Sequence, residues 1–467
     1  MMVGVSAFAV AQSDNSQGRS APVSPLGQSA PILNPENPPV SSLDEAGFDL
    51  RGGERSFFSY GLSASETIDS NANNKLGGEG VSSVTHFLGA MDLQRLYAKT
   101  DLFLEYLGGV AAYSSSTETV RQLHAAGFMG VTRWRTGRLT ARDSFSYLPE
   151  GSFSVGAFGG VPGLGIATGS GTSGLAGGGM PGMHFSGNGQ FGSVGLTPRI
   201  ANSALLDVVQ SLTPRSAFTV AAGFSNAHFF DDTNVLINSD RELVEGGYSY
   251  MIGRRDQLGA VYGFQQFRFP QDAGGQIDAH VVNIRLGHTI SGKMSVILGG
   301  GPEYITFQVP NPDPGTNDPI KVSRWSANGR VVFRYRFTRT SISATYEKFT
   351  SAGSGFFAGA DTQAVRLGLT RPLARTWELY TDLGYAHNRR LQEQLLQGLP
   401  GNTFDHGFFR ALLRKHLGRE YSAFLAYRFN DLSFDSSACG SSPCSRASER
   451  HMATIGVEWH PRPSRID

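Results

Sequence analysis

The feature that most constrains this chain is a repeated alternation of apolar and polar residues between about Ser56 and His460. Runs of roughly ten alternating residues are separated by turns and by loops rich in Gly, Asn, Asp and Pro. Because successive side chains of a strand point to opposite faces, each run places its apolar residues on one face. In the run 324–337 the apolar face holds Trp325, Ala327, Gly329, Val331, Phe333, Tyr335 and Phe337, and the other face carries four arginines.

These runs have the length of one membrane crossing, and the connections between them alternate in length. Short turns such as Gly253–Asp256 are followed along the chain by long loops such as Pro310–Ile320. This pattern predicts an all-β fold, a transmembrane antiparallel up-and-down β-barrel with about 18 strands (16–18) and both chain ends on the short-turn side. Residues Ala201–Leu212 fit either a strand or an amphipathic helix.

Composition supports one barrel rather than several soluble domains. Charged residues make up 17% of the 467 residues, below the roughly 25% of soluble proteins. Glycine, phenylalanine and tyrosine are abundant, with 59, 31 and 15 residues. No uninterrupted apolar stretch of about 18 residues occurs, which excludes a helical membrane protein. The formal net charge of +1 gives no reason to expect a nucleic-acid partner.

The segments outside the alternating region have their own signatures. Residues 1–11 are apolar and end in Ala9-x-Ala11, which is typical of the second half of a secretory signal peptide, although a basic start is missing. A frayed apolar tail is the alternative. Residues 12–55 are rich in Pro and Ser and predict a disordered periplasmic linker. The barrel is assigned to residues 56–460, and residues 461–467 are expected to form a C-terminal tail.

The two cysteines, Cys439 and Cys444, are separated by four residues in one loop that contains Gly440 and Pro443. An exported protein meets oxidising conditions, so we expect a disulfide between them. A zinc site would need two further ligands nearby, and only His451 is close. We therefore expect no metal at this loop.

One connection differs from the others, because residues 156–195 are unusually rich in glycine and join about the fifth and sixth predicted strands. At this point the chain resembles the bacterial outer-membrane porins, in which the long third loop joins the same two strands and narrows the channel. The resemblance is architectural and covers strand rhythm, loop alternation and loop order. It implies a constriction-type loop at 156–195. The overall sequence pattern is also similar to that of barrels found with surface-polysaccharide export systems.

The polar faces of the C-terminal runs are richer in arginine than in carboxylates. Rings of cationic side chains in a channel favour anions, and the planar guanidinium group suits carboxylate and phosphate. Pairing of arginine with glutamate across strands is the alternative interpretation. The residues predicted to line the pore are Arg285, Arg330, Arg334, Arg336, Arg366, Arg410, Arg414, Arg428, Glu347, Glu378, Asp382 and Glu458.

No motif for catalysis or cofactor binding emerges from the chain. The Gly-rich loop lacks the flanking residues of a phosphate-binding loop. The eleven histidines show no metal spacing. Outer-membrane enzymes assemble catalytic sites from distant strands, but no matching segment is found. Asp101 and Glu105 share one strand face and are interpreted as solvated wall residues. We expect no enzyme activity, cofactor or metal.

A barrel of this size can hold an aqueous channel. The sequence therefore predicts a bacterial outer-membrane, porin-like channel for passive diffusion of small hydrophilic solutes, and a preference for anions is one interpretation of its arginine-rich faces. The expected partners are outer-membrane lipid and the barrel assembly machinery, with both termini in the periplasm. The alternative is a surface or assembly barrel without a channel, serving adhesion or surface-polysaccharide export.

Overall fold

The computed structural model describes residues 56–72, 77–78, 80–114, 120–148, 199–230, 236–270, 275–309, 320–353, 355, 357–391, 402–435 and 446–466. The predicted signal segment, the linker, the Gly-rich loop 156–195 and both cysteines lie outside these residues. Within the described ranges, no α-helix is long and apolar enough to cross a bilayer.

Eighteen long strands and one two-residue strand make up the fold. They are β1 (Phe57–Asp69), β2 (Ser82–Leu96), β3 (Thr100–Tyr113), β4 (Val120–Trp134), β5 (Gly137–Leu148), β6 (Arg199–Thr213), β7 (Ser216–Phe229), β8 (Ser239–Met251), β9 (Asp256–Arg268), β10 (Gln276–Ser291), β11 (Met294–Val309), β12 (Ile320–Arg336), β13 (Ser341–Ser351), β14 (Ala360–Pro372), β15 (Trp377–Arg390), β16 (Thr403–His416), β17 (Tyr421–Phe434), β18 (Ala447–Trp459) and β19 (Ser464–Arg465).

The strands form one closed antiparallel barrel. Each long strand pairs with its neighbours in sequence, and β1 pairs with β18 from Leu62↔Trp459 to Asp69↔Met452. Closure leaves no edge strand among the described long strands. The predicted antiparallel barrel of about eighteen strands is confirmed, and residues Ala201–Leu212 belong to β6 rather than to a helix.

The connections define two ends of the barrel. Eight connections of two to four residues, beginning with 97–99 between β2 and β3, lie at one end. The other nine connections contain six residues or more and lie at the opposite end. These ends are called the turn side and the loop side. The chain enters β1 and leaves β18 at the turn side, as the sequence predicted.

The outer face of the barrel is apolar and the inner face is largely polar. On β1, Leu62 and Ile68 are 55% and 59% exposed. Their chain neighbours Ser63 and Thr67 point to the opposite face and are buried. The same alternation exposes Ile284 on β10 and Ile455 on β18. Side chains of this kind are stable outside a barrel only where hydrocarbon surrounds them, as in outer-membrane barrels.

Aromatic residues ring both ends of the apolar band. At the turn side, the rings of Tyr60 and Trp459 lie 5.7 Å apart across the β1–β18 junction. Towards the loop side, three outward tyrosines place their hydroxyl groups 2.8 Å from Nδ1 of a histidine on the next strand: Tyr106 with His124, Tyr262 with His280, and Tyr427 with His451. Aromatic rings with one polar end are typical of membrane interfaces.

The junction between the first and last strands is fastened at both ends. At the loop side the Arg450 guanidinium donates to both Asp69 carboxylate oxygens, with Nε–Oδ2 at 2.9 Å, and both side chains are buried. At the turn side the chain bulges after Trp459 and then resumes as β19, which pairs with Phe57 and Phe58. The predicted tail therefore contributes a short strand to the barrel. Gly61 makes room for the bulge, because a Cβ there would lie 2.6 Å from His460 Nδ1.

Prediction for the junction: Asp69→Asn leaves the buried Arg450 without its carboxylate and should lower the free energy of unfolding by about 3–5 kcal/mol. Denaturant unfolding of the barrel in lipid vesicles measures this loss. Glu242→Gln is the matched control, because the Glu242–Arg268 pair is half exposed and should contribute under about 1 kcal/mol. Equal effects of the two variants would contradict the importance of the junction pair.

Candidate functional site

The inner wall of the barrel is the candidate site, and strand pairing decides which residues belong to it. Paired residues on neighbouring strands project from the same face. Starting from the buried Ser63 on β1, the register assigns the inner face around the whole ring. All twelve residues predicted to line the pore occupy inner positions: Arg285, Arg330, Arg334, Arg336, Arg366, Arg410, Arg414, Arg428, Glu347, Glu378, Asp382 and Glu458.

A belt of charges crosses eight consecutive strands of this wall. In β10–β13, Arg285 pairs in register with Gly299, Gly299 with Arg330, and Arg330 with Glu347. Gly299 lacks a side chain, so the two arginines flank an open inner position. A Cβ at Gly299 would come within 3.3 Å of Arg285 Cγ. The glycine therefore gives the Arg285 side chain room along the wall.

The belt continues on β14–β17 with closer charge pairing. Arg366 donates to both oxygens of Asp382, with Nε–Oδ1 at 2.9 Å and a second bond at 2.6 Å. Asp382 pairs in register with Arg410, and Arg410 with Arg428. Two-pronged bonds of this kind fix the guanidinium plane. Arginines outnumber carboxylates along the belt, so that Asp382 lies beside both Arg366 and Arg410.

Pairing therefore accounts for part of the arginine wall. Arg330 Nε lies 2.7 Å from Glu347 Oε1, and Arg414 lies 3.4 Å from Glu458 Oε1. Among the twelve predicted residues, the eight arginines face four carboxylates, which leaves a positive excess of four. Cross-strand pairing and a surplus of cations therefore occur together among these twelve residues, and the preference for anions stays a prediction.

The cations of the inner wall are arginines. The described strands contain three lysines, Lys321, Lys348 and Lys415, and each occupies an outward position. The guanidinium group keeps its charge in partly dry surroundings and presents a planar set of donors to carboxylate or phosphate. The inner wall therefore carries arginine and no lysine among the described strand residues.

A polar network lies below the belt near the turn side. Tyr380 donates to Glu378 at 2.9 Å, and His416 Nε2 lies 3.5 Å from the same carboxylate. On the other side of the His416 ring, Nδ1 lies 3.1 Å from Ser422 Oγ. The sequence pattern predicted Glu378 as a wall residue and interpreted His416 only as a solvated wall or girdle residue. Their contact was not predicted, because the two residues lie on different strands and are far apart in the chain. Tyr380, two residues from Glu378 on β15, was not singled out.

The opposite part of the wall holds ion pairs that the sequence analysis also missed. Asp101 was interpreted as a solvated wall residue, but it is buried, and its Oδ2 lies 2.6 Å from Arg133 Nη1. Arg142 lies 3.0 Å from the fully buried Asp207. In both pairs the arginine and the carboxylate lie on different strands. The available signal was alternation, which places each of them on a polar face without showing its partner.

Water reaches the inner wall from the turn side. On β12 the inner residues Arg334 and Arg336 are exposed, and on β13 Ser343 and Thr345 are partly exposed. This surface, defined by Arg334, Arg336, Ser343 and Thr345, is called the vestibule. On the same region of the barrel nearer the loop side, Ala279 on β10 and Ile305 on β11 are fully buried. The interior thus changes from polar and accessible to apolar and dry.

The dry part is formed by strands and by loop residues that fold inward. One apolar cluster joins Ile237, Phe267, Ile277, Ile305 and Ala358, together with other residues. A second cluster joins residues of β7 and β14–β17 with Leu236 and Phe357: Phe229, Ala360, Ala364, Ala386, Phe404, Phe408, Leu432 and Phe434. Alternation along the chain identifies residues 351–360 only as one of the long connections. An aromatic residue, Phe357, within that glycine-rich loop was the available signal.

Within the part of the chain that the structure describes, no group of three or more His, Cys, Asp or Glu residues could hold a metal ion. The predicted disulfide between Cys439 and Cys444 and the predicted constriction at 156–195 fall on residues that are not described, so both stay predictions.

Comparison with known proteins gives likeness in fold only. No family model matches the chain, and no curated protein matches it. Among solved structures, Pseudomonas aeruginosa OccK2 (OpdF) is similar with 11% identity and a TM-score of 0.38, covering 86% of this chain and 98% of that one. Pseudomonas aeruginosa OpdK gives 12% identity and 0.39 over 86% and 98%. The Escherichia coli K12 ferric-catecholate import receptor Fiu gives 8% and 0.40 over 86% and 81%. No functional property is transferred from these proteins.

Prediction for the vestibule: in a background with both native cysteines changed to serine, Ser343→Cys should react with a water-soluble maleimide in the folded barrel. Ala279→Cys should stay unmodified, because this buried apolar position excludes water and reagent. Mass spectrometry before and after denaturation measures the labelled fraction. Rapid labelling of both positions would show that water fills the interior evenly and would contradict the division described above.

Proposed function

We propose that the protein is an outer-membrane channel through which small hydrophilic solutes, preferentially anions, diffuse passively. The observation that carries the proposal is the arginine-rich inner wall that meets water at Arg334 and Arg336. A cleft lined by one sign of charge between low-dielectric walls raises the local concentration of oppositely charged solutes. The wall would raise the local concentration of anions and would not convert them chemically.

The proposed setting follows from the barrel surface. The outward apolar band and its two aromatic rings suit outer-membrane lipid, with the barrel assembly machinery as the partner for insertion. Short turns of such barrels face the periplasm, so the turn side and both chain ends are placed there in this proposal. The vestibule then opens to the periplasm, and the loop side faces the exterior.

A second candidate function is favoured by one specific observation, the dry apolar core near the loop side. A barrel closed by its own side chains would serve as a surface or assembly protein, for adhesion or as an accessory of surface-polysaccharide export. The two functions differ in a direct way, because a channel conducts ions across a planar bilayer and a closed barrel does not.

Prediction for ion selectivity: the purified barrel in planar bilayers shows stepwise conductance with a preference for chloride over potassium. Arg334→Glu should lower that preference, because it reverses one charge of the water-accessible vestibule. Reversal potentials in a potassium chloride gradient measure the change. Since the Debye length grows from about 3 Å at 1 M to about 10 Å at 0.1 M salt, the effect should be larger in dilute salt.

The matched control is Arg268→Glu, which reverses an arginine on the outward face near the loop side. It should leave selectivity unchanged. An identical loss of anion preference in both variants would attribute selectivity to net charge instead of the inner wall. A folded barrel that never conducts would remove the channel proposal and favour the second candidate.

A further inference from the structure

We propose that an inward-folded connection between β13 and β14 forms the steric constriction on the loop side and sets the size limit for solutes. This connection, called the bridge, is defined by Ala352, Gly353, Gly355, Phe357, Ala358 and Gly359. The inference deepens the channel proposal and rests on it. It assigns size selection to a segment other than the Gly-rich loop 156–195.

The bridge reaches strands far from its own. The Ile237 amide, in the β7–β8 connection, donates to the Gly355 carbonyl at 2.8 Å. Where the bridge leads into β14, the Leu391 amide, directly after the neighbouring β15, donates to the Gly359 carbonyl at 3.2 Å. Strands β7 and β14 are seven places apart in the ring of eighteen. A connection of eight residues that contacts both cannot follow the wall, so it crosses the mouth of the barrel.

The bridge is held in place by buried aromatic contacts. Phe357 is fully buried, and its ring centroid lies 5.2 Å from that of Phe404 on β16. The Arg390 guanidinium carbon lies 4.6 Å from the Phe357 ring centroid. An aromatic side chain buried in this way loses much stabilisation if it leaves its site. These contacts make the bridge a fixed part of the fold.

The backbone of the bridge depends on glycine. Gly353, Gly355 and Gly359 have φ values of +81°, +86° and +86°, which residues with a side chain rarely adopt. At Gly355 an added Cβ would lie 2.8 Å from the Phe229 ring. Even a methyl group there would therefore push the bridge away from β7.

The bridge also lies over the accessible part of the interior. Its residue Ala358 belongs to the apolar cluster that includes Ile277 of β10 and Ile305 of β11. The vestibule lies on β12 and β13, nearer the turn side, and the belt arginines of β10–β14 lie between the two levels. A solute that enters the vestibule and passes the belt meets the bridge and this cluster next. Size selection at that point follows from their position.

The test compares two bridge variants, Gly355→Ala and Phe357→Ser, with the unchanged protein. Gly418→Ala is the matched control, because Gly418 has φ +122° but open space around it, at a turn-side connection. Single-channel conductance in planar bilayers and swelling of liposomes in neutral sugars of increasing size are measured. Heat-modifiable gel migration confirms that each barrel is folded, and the milder Gly355→Ala variant keeps the test decisive if Phe357→Ser fails to fold.

We expect both bridge variants to raise conductance severalfold and to admit larger sugars, with ion selectivity unchanged and Gly418→Ala like the unchanged protein. If the unchanged protein conducts and the folded bridge variants keep its conductance and size limit, the bridge inference is overturned and the channel proposal stands. If no folded variant conducts, including the bridge variants, the channel proposal fails and the inference fails with it.

Discussion

The hydrogen bonding of each strand to two neighbours in a closed ring is the constraint on which the rest of the structure depends. Hydrocarbon offers no hydrogen-bond partner, so a sheet that crosses it must close upon itself. Closure requires β1 and β18, separated by nearly the whole chain, to meet in register. The buried Asp69–Arg450 pair and the resumed pairing of β19 secure that junction at its two ends. These contacts stabilise the pairing of the two strands that are farthest apart in the sequence, where loop closure costs the most entropy.

Closure also fixes the chemistry of the two faces. Once the ring is complete, alternate residues of every strand meet either lipid or the interior, and one register serves all eighteen strands. The interior then collects the polar half of each strand and with it the arginines. Many of these arginines need carboxylates, because an uncompensated buried charge is strongly destabilising. The belt on β10–β17 combines ion pairs such as Arg366–Asp382 with an excess of arginines over carboxylates.

The interior is divided along the barrel axis into a wet level and a dry level. Near the turn side, Arg334 is exposed on the inner wall, and a solute could be attracted there. Near the loop side, phenylalanines from the wall and Phe357 from the bridge pack as in a soluble core. The dry level stabilises the fold by burial, and it narrows the space that a solute could use. In the proposed channel, the buried contacts that stabilise the bridge are therefore also the ones that oppose passage.

Alternation by itself determined the fold class, the approximate strand number, the two ends and the side of the wall on which each arginine lies. These properties are local, since they depend only on which residues follow one another along a strand. The sequence did not reveal that Arg133 meets Asp101, that His416 meets Glu378, or that Phe357 packs against Phe404. Such contacts depend on the register between strands and on the path of a loop through the closed ring, and both are set only when distant segments pack together.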